Sequence, residues 1–582
     1  MKNFFTKKKI LILILFLAAG LRLYGLNWDQ NQHLHPDERF LTMVETAIKI
    51  PNSFKDYLNP QVSPMSPYNK GYRFFVYGTF PLNLTKIMGE IINYRDYSNI
   101  HFVGRVLSAL FDLGVVFLIY KIAAKIFNDK VGLVSAFLYS IMVLPIQLSH
   151  FFAVDTFLNF FLVISFYLLL KILNTKYLIL NTSRLGLSFG LAIACKISAL
   201  YFAPIIGLGF LFMFVKSFKE KKVLLFILAS FFFILTSLLV FRLAQPQAFT
   251  TGNFLSLKIN PQFIANLTEL KSYNDPNSWS PPGIQWKKTL PIIFPLKNLI
   301  LWGLGLPLGI IAAAAVPYAI ISLIRLITKK KIFPLSLSSF GLFLIWLWVL
   351  GLFFYQGLQF TKTMRYFLPI YPFLAILSAK FLSEIFSLIN RKYPKLFLIF
   401  DICILILLLI YSLSFMSIYT RPITRASASE WIYKNIPAAS VLGNEHWDDP
   451  LPLSLPKQNS SMFRGEILEL YNFDSPQKWE KINQQLNKIN YIILSSNRLY
   501  GSISKVPEMY PQTAEYYKKL FNGSLGFEKV AEFTSYPCFP PFGGRHLFCF
   551  NDDNAEEAFT VYDHPKVTIF QRDKKANLLE GF

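Results

Sequence analysis

KKKILILILFLAAGLRLYGLNWDQNQHLHPDE, residues 7–38, places a basic cluster, an apolar run and an acidic pair in immediate succession. The apolar run 10–26 is long enough to cross a membrane, and the three lysines before it indicate a cytoplasmic N-terminus. Asp37 and Glu38 follow the run on the predicted outer side. Carboxylates there could meet a substrate whose tail lies in lipid and whose head lies in water. The stretch therefore predicts a membrane protein with chemistry at its outer surface.

The composition predicts a membrane protein along most of the chain. Of the 582 residues 53% are hydrophobic and only 16% are charged, and the mean hydropathy is +0.40. Apolar runs long enough to span a bilayer lie at 8–26, 101–127, 131–149, 156–173, 185–215, 223–243, 296–326, 333–355, 366–388 and 396–418. Further spans follow the first one and no convincing cleavage site does, so we expect an uncleaved span rather than a signal peptide.

The basic residues predict the orientation of the spans and argue against nucleic-acid binding. The net charge of +24 comes from basic segments between apolar runs, and no compact basic domain or recognition motif appears. These segments, which should be cytoplasmic, contain Lys216, Lys219, Lys221 and Lys222; Arg325, Lys329, Lys330 and Lys331; and Arg391, Lys392 and Lys395. That placement requires 185–215 to cross twice, although its 31 residues are short for two full spans. We expect two short or broken helices that turn near 196–204, about 11 spans in total, and an outer C-terminal tail.

Four segments are then expected outside the cytoplasm: 27–100, 150–156, 244–295 and 419–582. In the first of them, 54–57, 72–77 and 82–92 could form amphipathic helices at the membrane surface. The chain thus divides into a membrane domain at 1–418 and an outer domain at 419–582.

The outer tail has the composition of a small α/β domain. A helix is expected at 426–435, and strands are expected at 439–442, 491–495, 529–533 and 567–571. Cys538 and Cys549 flank a loop rich in proline and glycine, a placement that is compatible with a disulfide. Cys195 and Cys403 lie in predicted spans and are expected to be ordinary core residues.

The tail also has acids and histidines, but they do not form a recognised metal motif. His446, Asp448, Asp449, Asp563 and His564 could suggest a metal site, although their spacing supports none. The chain has no glycine-rich phosphate loop and no Gly-x-Ser-x-Gly motif, so nucleotide hydrolysis and serine chemistry have no support.

Three acids at the outer boundary could carry chemistry. Asp37 and Glu38 could act as a general base or as oxygen ligands of a divalent cation, and the alternative is a pair of solvated loop acids. Asp155 lies in an apolar turn, where a charge is costly unless it is used or paired. The alternative for Asp155 is an N-cap of the following span.

Four further charged residues lie in or beside the spans. Arg105 and Asp112 are seven residues apart, so they share a helix face and could serve interhelical pairing. Lys196 and Arg365 lie at predicted outer ends, where they could hold an anionic phosphate. The alternative for both is that they snorkel to lipid headgroups.

Several motifs together resemble the lipid-carrier-dependent glycosyltransferases of family 39, which are GT-C-type membrane enzymes. The motifs are Arg22-Leu23-Tyr24-Gly25-Leu26 followed by His35-Pro36-Asp37-Glu38; Gly104-Arg105-Val106-Leu107-Ser108-Ala109-Leu110; 150–155; 186–196; and Arg365-Tyr366-Phe367-Leu368-Pro369-Ile370-Tyr371-Pro372. This family includes protein O-mannosyltransferases and aminoarabinose transferases. The resemblance covers much of 20–375, and it implies a polytopic α-helical, GT-C-like fold. The C-terminal extracytoplasmic α/β domain is predicted from the composition of the tail.

The resemblance also implies the reaction and the roles of the residues. The donor would be a sugar such as mannose on a polyprenyl phosphate, transferred with inversion to a lipid, glycan or protein acceptor outside the cytoplasm. Asp37 would be the general base or a carboxylate that orients the acceptor, Glu38 its partner and Asp155 a second acidic residue of the site. Substrate-binding residues would be Arg365 at the carrier phosphate, Lys196, Arg105, His35 and Tyr366. Family members differ in their need for a divalent cation such as Mg²⁺ or Mn²⁺, which here would use the same three acids.

Two other classes of function remain open from the sequence. A transporter or flippase of lipid-linked sugars would usually show inverted repeats and polar residues near the bilayer midplane, neither of which is evident. A structural or assembly protein that binds a partner through the tail would leave the boundary acids unexplained.

Overall fold

A computed structural model describes residues 2–277, 280–328 and 337–573 of the chain. The predicted basic residues Lys329, Lys330 and Lys331 lie outside the described residues, as do the side chains of Arg325 and Lys395. The helices are, in chain order, α1 (Lys2–Leu23), α2 (Pro36–Ala47), α3 (Phe54–Leu58), α4 (Thr79–Ile91), α5 (Ile100–Ile126), α6 (Asp129–Ser140), α7 (Val143–Ser149), α8 (Val154–Ile172), α9 (Leu178–Cys195), α10 (Ala203–Lys219), α11 (Val223–Ala244), α12 (Pro261–Ser272), α13 (Ile293–Asn298), α14 (Leu306–Thr328), α15 (Leu337–Gly357), α16 (Tyr371–Lys392), α17 (Pro394–Met416), α18 (Thr424–Asn435), α19 (Pro476–Lys488), α20 (Tyr500–Ile503), α21 (Pro511–Phe521) and α22 (Glu557–Thr560).

The N-terminal part of the chain is a bundle of long apolar helices. Within the described ranges, nine helices are long and apolar enough to cross a membrane, or ten if α6 and α7, bent by 60°, form one span. The apolar stretch of α1, which is flanked by basic residues, corresponds to the first predicted span. The fold class predicted from the sequence is confirmed, with nine or ten candidate spans in the described residues where about 11 were predicted.

The helix break predicted within 185–215 is present. Helix α9 ends at Cys195, Lys196 is extended, and a 3₁₀ turn at Ile197–Phe202 leads into α10. Both halves are long enough to span, because α9 begins at Leu178 and α10 continues to Lys219. The break leaves Lys196 between two spans rather than inside one.

The first predicted outer loop, 27–100, is largely ordered by helices. Helices α3 and α4 correspond to the predicted 54–57 and 82–92, whereas α2 was not predicted. The helix predicted at 72–77 is wrong, because that segment is irregular. Phe75 of this segment is only 2% exposed and packs against α2. The aromatic residues therefore belong to a small hydrophobic core and not to one face of a surface helix.

The C-terminal part forms a separate sheet with helices packed on it. The strands are β1 (Val441–Glu445), β2 (Arg464–Leu468), β3 (Tyr491–Leu494), β4 (Phe527–Phe533), β5 (Cys538–Phe539), β6 (Phe548–Cys549) and β7 (Val567–Arg572). Five of them form a mixed sheet in the order β2-β1-β3-β7-β4, in which β1 is parallel to β2 and β3, and β7 is antiparallel to its neighbours.

The predictions for the tail are confirmed in outline. The predicted helix is α18, and the four predicted strands are β1, β3, β4 and β7, with boundaries that shift by a few residues. Cys538 and Cys549 form a disulfide that joins β5 and β6. Strand β2 and helices α19 and α21 were not predicted. The domain boundary at 418–419 stays a prediction; α17 ends at Met416.

Candidate active site

Asp37 is held at the start of α2 by a well-defined helix N-terminus. His35 is the N-cap, and its Nδ1 accepts a hydrogen bond of 3.3 Å from the backbone N–H of Glu38. Pro36 occupies the first helical position, where its missing N–H costs nothing. Successive residues on a helix point about 100° apart, so Asp37 and Glu38 face different partners.

Asp37 begins a row of four alternating charges that joins four parts of the membrane domain. Its Oδ2 lies 2.6 Å from Nη1 of Arg365, which sits on the turn Met364–Ile370 before α16. Nε of Arg365 lies 3.9 Å from Oδ2 of Asp155 on α8. The other oxygen of Asp155 lies 2.9 Å from Nζ of Lys196, at the break between α9 and α10. We call these four residues the charge row.

The charge row is partly open to solvent. The side chains of Asp37, Arg365 and Lys196 are about one-fifth exposed, at 19%, 20% and 22%, whereas that of Asp155 is 7% exposed. A fully buried ion pair stabilises the fold, but a partly exposed one can also bind a ligand. Here the two cations, Arg365 and Lys196, are accessible to an anionic ligand. Asp155 links the two cations and fixes their separation.

Two tyrosines complete the walls of the charge row. The hydroxyl of Tyr77 donates a hydrogen bond to Asp37. The ring of Tyr366 lies 4.8 Å from Nζ of Lys196 and 5.8 Å from the guanidinium carbon of Arg365, within the range of cation–π attraction. The ring of Tyr366 therefore helps to orient Lys196 and Arg365, in addition to the acids of the charge row.

Tyr77 reaches the charge row because Gly78 packs directly on the end of α9. The backbone N–H of Gly78 donates a 3.0 Å hydrogen bond to the carbonyl of Cys195. A Cβ at Gly78 would lie 2.0 Å from the carbonyl oxygen of Ala194 and 2.4 Å from the carbonyl carbon of Cys195. Only glycine fits this approach, which places Tyr77 beside the helix break that carries Lys196.

The charges around Asp37 keep it ionised. Burial by itself raises the pKa of the Asp37 carboxyl, but the Arg365 guanidinium, His35 and the hydrogen bond from Tyr77 hold that pKa well below its usual range. Burial lowers the pKa of His35 to about 4, so this imidazole is neutral at neutral pH. Asp37 is thus a carboxylate that can accept a proton, although a weak base while Arg365 is paired with it.

Glu38 and Arg105 lie together, but in a second cluster apart from the charge row. Nε of Arg105 is 2.9 Å from Oε2 of Glu38, and its Nη2 is 2.9 Å from Oδ2 of Asp29. The backbone N–H of Phe152 donates a 2.8 Å hydrogen bond to the same Glu38 oxygen. The side chains of all three charged residues are fully buried. Their arrangement ties the loop after α1 to α2 and α5.

Asp112, the acid that shares a helix face with Arg105, belongs to a separate buried ion pair. Asp112 pairs with Arg22 of α1, with Nε and Oδ2 2.6 Å apart, and accepts a 2.5 Å hydrogen bond from the hydroxyl of Tyr139. The expectation that Arg105 and Asp112 serve pairing between elements is confirmed, each with its own partner.

The alternatives left open for the other charges are settled by their surroundings. The N-cap of α8 is Ala153, so Asp155 is not the cap and instead faces Lys196 and Arg365. Lys196 and Arg365 turn toward acids inside the protein, which argues against snorkelling to headgroups.

The predicted acids do not fit a divalent cation as they are placed. Glu38 lies in the second cluster, while Asp37 and Asp155 already face Arg365 and Lys196. In the described part of the chain, no three His, Cys, Asp or Glu side chains converge as a metal site would require. In the tail, Asp448 pairs with Arg425, and Asp563 pairs with His564, which is also bound by Asp552.

The C-terminal domain supplies contacts that the sequence did not reveal. Its Glu556 accepts a 2.8 Å hydrogen bond from the backbone N–H of Met364, next to Arg365. Its Tyr562 packs on His35, with ring centroids 4.5 Å apart. These contacts join residues nearly 200 positions or more apart in the chain, and no local pattern indicates them. The charge row and the C-terminal domain therefore lie at the same end of the helical bundle.

Comparison with known proteins finds a family model that matches part of the chain. Residues 97–240, about a quarter of the chain, match the model of the dolichyl-phosphate-mannose-protein mannosyltransferase family. This stretch includes Arg105, Asp155 and Lys196, whereas Asp37 and Arg365 lie outside it. A sequence search of curated proteins found no match.

Solved structures of an archaeal oligosaccharyltransferase share the architecture of this chain. The oligosaccharyltransferase AglB of Archaeoglobus fulgidus, in complex with an inhibitory peptide and a dolichol-phosphate, matches 99% of this chain over 89% of its own, with 13% identity and a TM-score of 0.52. Its structure tethered with an acceptor peptide covers 98% and 88%, with 13% identity and a TM-score of 0.51. ArnT of Cupriavidus metallidurans bound to undecaprenyl phosphate covers 97% and 98%, with 10% identity and a TM-score of 0.41.

The family match and the AglB architecture bear on two separate predictions. The match over 97–240 confirms the resemblance to family 39 and, with it, the prediction of a glycosyltransferase. The AglB likeness confirms the GT-C-like fold.

Proposed function

We propose that the protein transfers a sugar from a polyprenyl-phosphate carrier to an acceptor hydroxyl, with inversion at the anomeric carbon. The observation that carries this proposal is the Asp37–Arg365 pair, whose atoms lie 2.6 Å apart in a partly open site. The pair combines a proton acceptor with a phosphate binder at the end of the bundle where the C-terminal domain sits. We place the reaction outside the cytoplasm, on the face to which the charge pattern assigns that domain.

Arg365 and Lys196 are suited to bind the carrier phosphate. An arginine fork matches two phosphate oxygens, and a lysine adds a compact charge. Asp155 lies between them and holds both in place. As the bond to the sugar breaks, negative charge grows on the phosphate, and cations fixed nearby stabilise it more in the transition state than in the ground state.

Asp37 is suited to take the proton of the acceptor. A glycosidase needs an acid because an alkoxide leaves poorly. A phosphate leaves as a stable anion, so one base that deprotonates the attacking hydroxyl is enough. A single displacement from the face opposite the phosphate inverts the anomeric carbon.

Donor binding would also strengthen the base. Without donor, the Arg365 guanidinium holds the pKa of Asp37 below its usual range. A phosphate that shares this guanidinium would cancel part of its positive charge, and the pKa of Asp37 would rise. Asp37 would then accept a proton more readily when the donor is in place, which limits unproductive reaction with water.

The identity of the substrates rests on the comparisons. The matched family model names a dolichyl-phosphate-mannose donor, and the AglB structure holds a dolichol-phosphate, so we propose mannose or a similar sugar on a polyprenyl phosphate. A lipid, a glycan or a protein is compatible as the acceptor.

The proposal is tested with protein in nanodiscs and a panel of polyprenyl-phosphate sugars. We expect one donor to release free polyprenyl phosphate, and Asp37→Asn to slow that release by about a thousandfold, as for loss of a general base. Asp96→Asn removes an exposed acid of the same loop and should keep the wild-type rate. If no donor is cleaved, even with cell-extract acceptors added, a flippase of lipid-linked sugars becomes the better reading.

A further inference from the structure

We infer that Glu556, from the C-terminal domain, is a positioning residue that holds Arg365 in the charge row, so that the domain controls the reaction. This inference rests on the proposed function, because it assigns Glu556 to the phosphate-binding arginine. It adds a residue that lies more than 300 positions beyond the family-model match.

Glu556 accepts hydrogen bonds from the backbone next to Arg365. Its two carboxylate oxygens lie 3.0 and 2.8 Å from the backbone N–H of Met364, and the hydroxyl of Thr363 donates to the first of them. Met364 is the first residue of the turn that carries Arg365 and Tyr366. The carboxylate therefore fixes the point from which both side chains project.

Glu556 is itself fixed from the membrane domain. Its backbone N–H donates a 2.9 Å hydrogen bond to Oδ1 of Asn298, at the end of α13. The side chain amide of Asn298 donates to the carbonyl of Phe294 one turn earlier, so its orientation is set. Glu556 is only 3% exposed, and a buried carboxylate that is tied at both ends has little freedom to move.

The same C-terminal segment also contacts the helix end that carries Asp37, the partner of Arg365. Six residues after Glu556, the ring of Tyr562 packs on His35, the N-cap of the helix that starts with Asp37. A small cavity lies between the two domains, and His35, Arg365, Glu556 and Tyr562 are among its lining residues. One segment of the C-terminal domain thus contacts the neighbours of both Asp37 and Arg365.

Within the described part of the chain Glu556 forms no ion pair, and its charge is therefore sensitive to pH. Burial and the neighbouring Glu557 raise its pKa, the bonds from Thr363 and Met364 and the charge of Arg365 lower it, and the result is about 7. Tyr371 of α16 also interacts with Glu556. Below this pH Glu556 is protonated and loses acceptor capacity. Its hydrogen bonds from Thr363 and Met364 then weaken, and the turn is held less firmly.

The inference predicts a step in the pH profile of transfer. In the wild type, kcat/KM should rise as pH increases through about 7, because the ionised carboxylate holds the turn. Glu556→Gln, which keeps the shape but accepts fewer hydrogen bonds, should lower kcat/KM at pH 8 by about tenfold and remove this step. Asp553→Asn, on the same segment and paired with the half-buried Lys566, should keep both the rate and the step.

Two further variants separate positioning from general support. Thr363→Val removes one donor to Glu556 with little change in volume, so the step should move to higher pH. Glu556→Gln should add no further loss when combined with Arg365→Lys, because Glu556 acts through that arginine.

Each outcome has one meaning. Wild-type kinetics in Glu556→Gln, or a loss that leaves the step in place and adds fully to that of Arg365→Lys, overturns the inference. An unmoved step in Thr363→Val overturns it even if Glu556→Gln fails to fold. A wild-type rate in Arg365→Lys would instead refute the proposed role of Arg365.

Discussion

At the residue scale, helix geometry gives two neighbouring acids different environments. Asp37 faces Arg365 in a site that is about one-fifth exposed, whereas Glu38 faces Arg105 where nothing is exposed. Burial raises the pKa of Glu38 despite Arg105, and Arg365 holds that of Asp37 low. A buried acid with a fixed partner is suited to stabilise a fold, and an accessible one is suited to exchange a proton.

This difference predicts opposite effects for two similar substitutions. Glu38→Gln should lower the free energy of unfolding by about 3 kcal/mol, because Arg105 then loses one of its two buried carboxylates. The folded fraction should keep its transfer rate within about threefold, unlike Asp37→Asn. Thermal unfolding and transfer assays on the same purified samples check both halves.

A contrary pattern would reassign the pair. If Glu38→Gln unfolded like the wild type yet lost transfer as completely as Asp37→Asn, Glu38 would belong to the chemistry, as the resemblance alone implied.

At the element scale, the site depends on a helix break and on a glycine that packs against it. The break was predictable, because the basic residues at 216–222 can face the cytoplasm only if the preceding apolar run crosses twice. The packing of Gly78 on Cys195 was not, because it joins parts of the chain more than 100 residues apart. The helix predicted at 72–77 failed for the same reason. The aromatic residues there pack against parts of the chain that the local sequence does not indicate.

Gly78→Ala should therefore damage the site without touching any charged residue. The new methyl group would lie 2.0 Å from the carbonyl oxygen of Ala194, so the segment must shift and carry Tyr77 away from Asp37. We expect a stability loss of about 2 kcal/mol and about a tenfold lower kcat/KM. Gly207→Ala, whose Cβ would meet nothing within 4 Å, is the matched control for both measurements.

Equal behaviour of these two alanine variants would contradict the packing argument. Loss of stability alone, with kcat/KM unchanged, would retain the close contact but remove Tyr77 from the site.

At the scale of the whole molecule, the C-terminal domain is tied to the site by charge as well as by packing. Arg39 of α2 pairs with Asp449 at 2.5 Å, and Asp449 also lies 3.3 Å from Arg425. Sequence reasoning predicted the domain and most of its strands, because alternation and turn residues are local signals. It could not predict which surface of the domain meets the membrane part, since that depends on contacts between distant residues.

These contacts mean that the domain should act on catalysis and not only cover the site. Tyr562 is the test, because its ring lies 4.5 Å from that of His35 and 6.5 Å from that of Phe151. Tyr562→Ala should free His35 and lower kcat/KM by about tenfold, while Tyr562→Phe keeps the ring and should stay near the wild type. Hydrogen exchange at the start of α2 should rise in the alanine variant alone. Wild-type kinetics and exchange in Tyr562→Ala would show that the domain packs beside the site without controlling it.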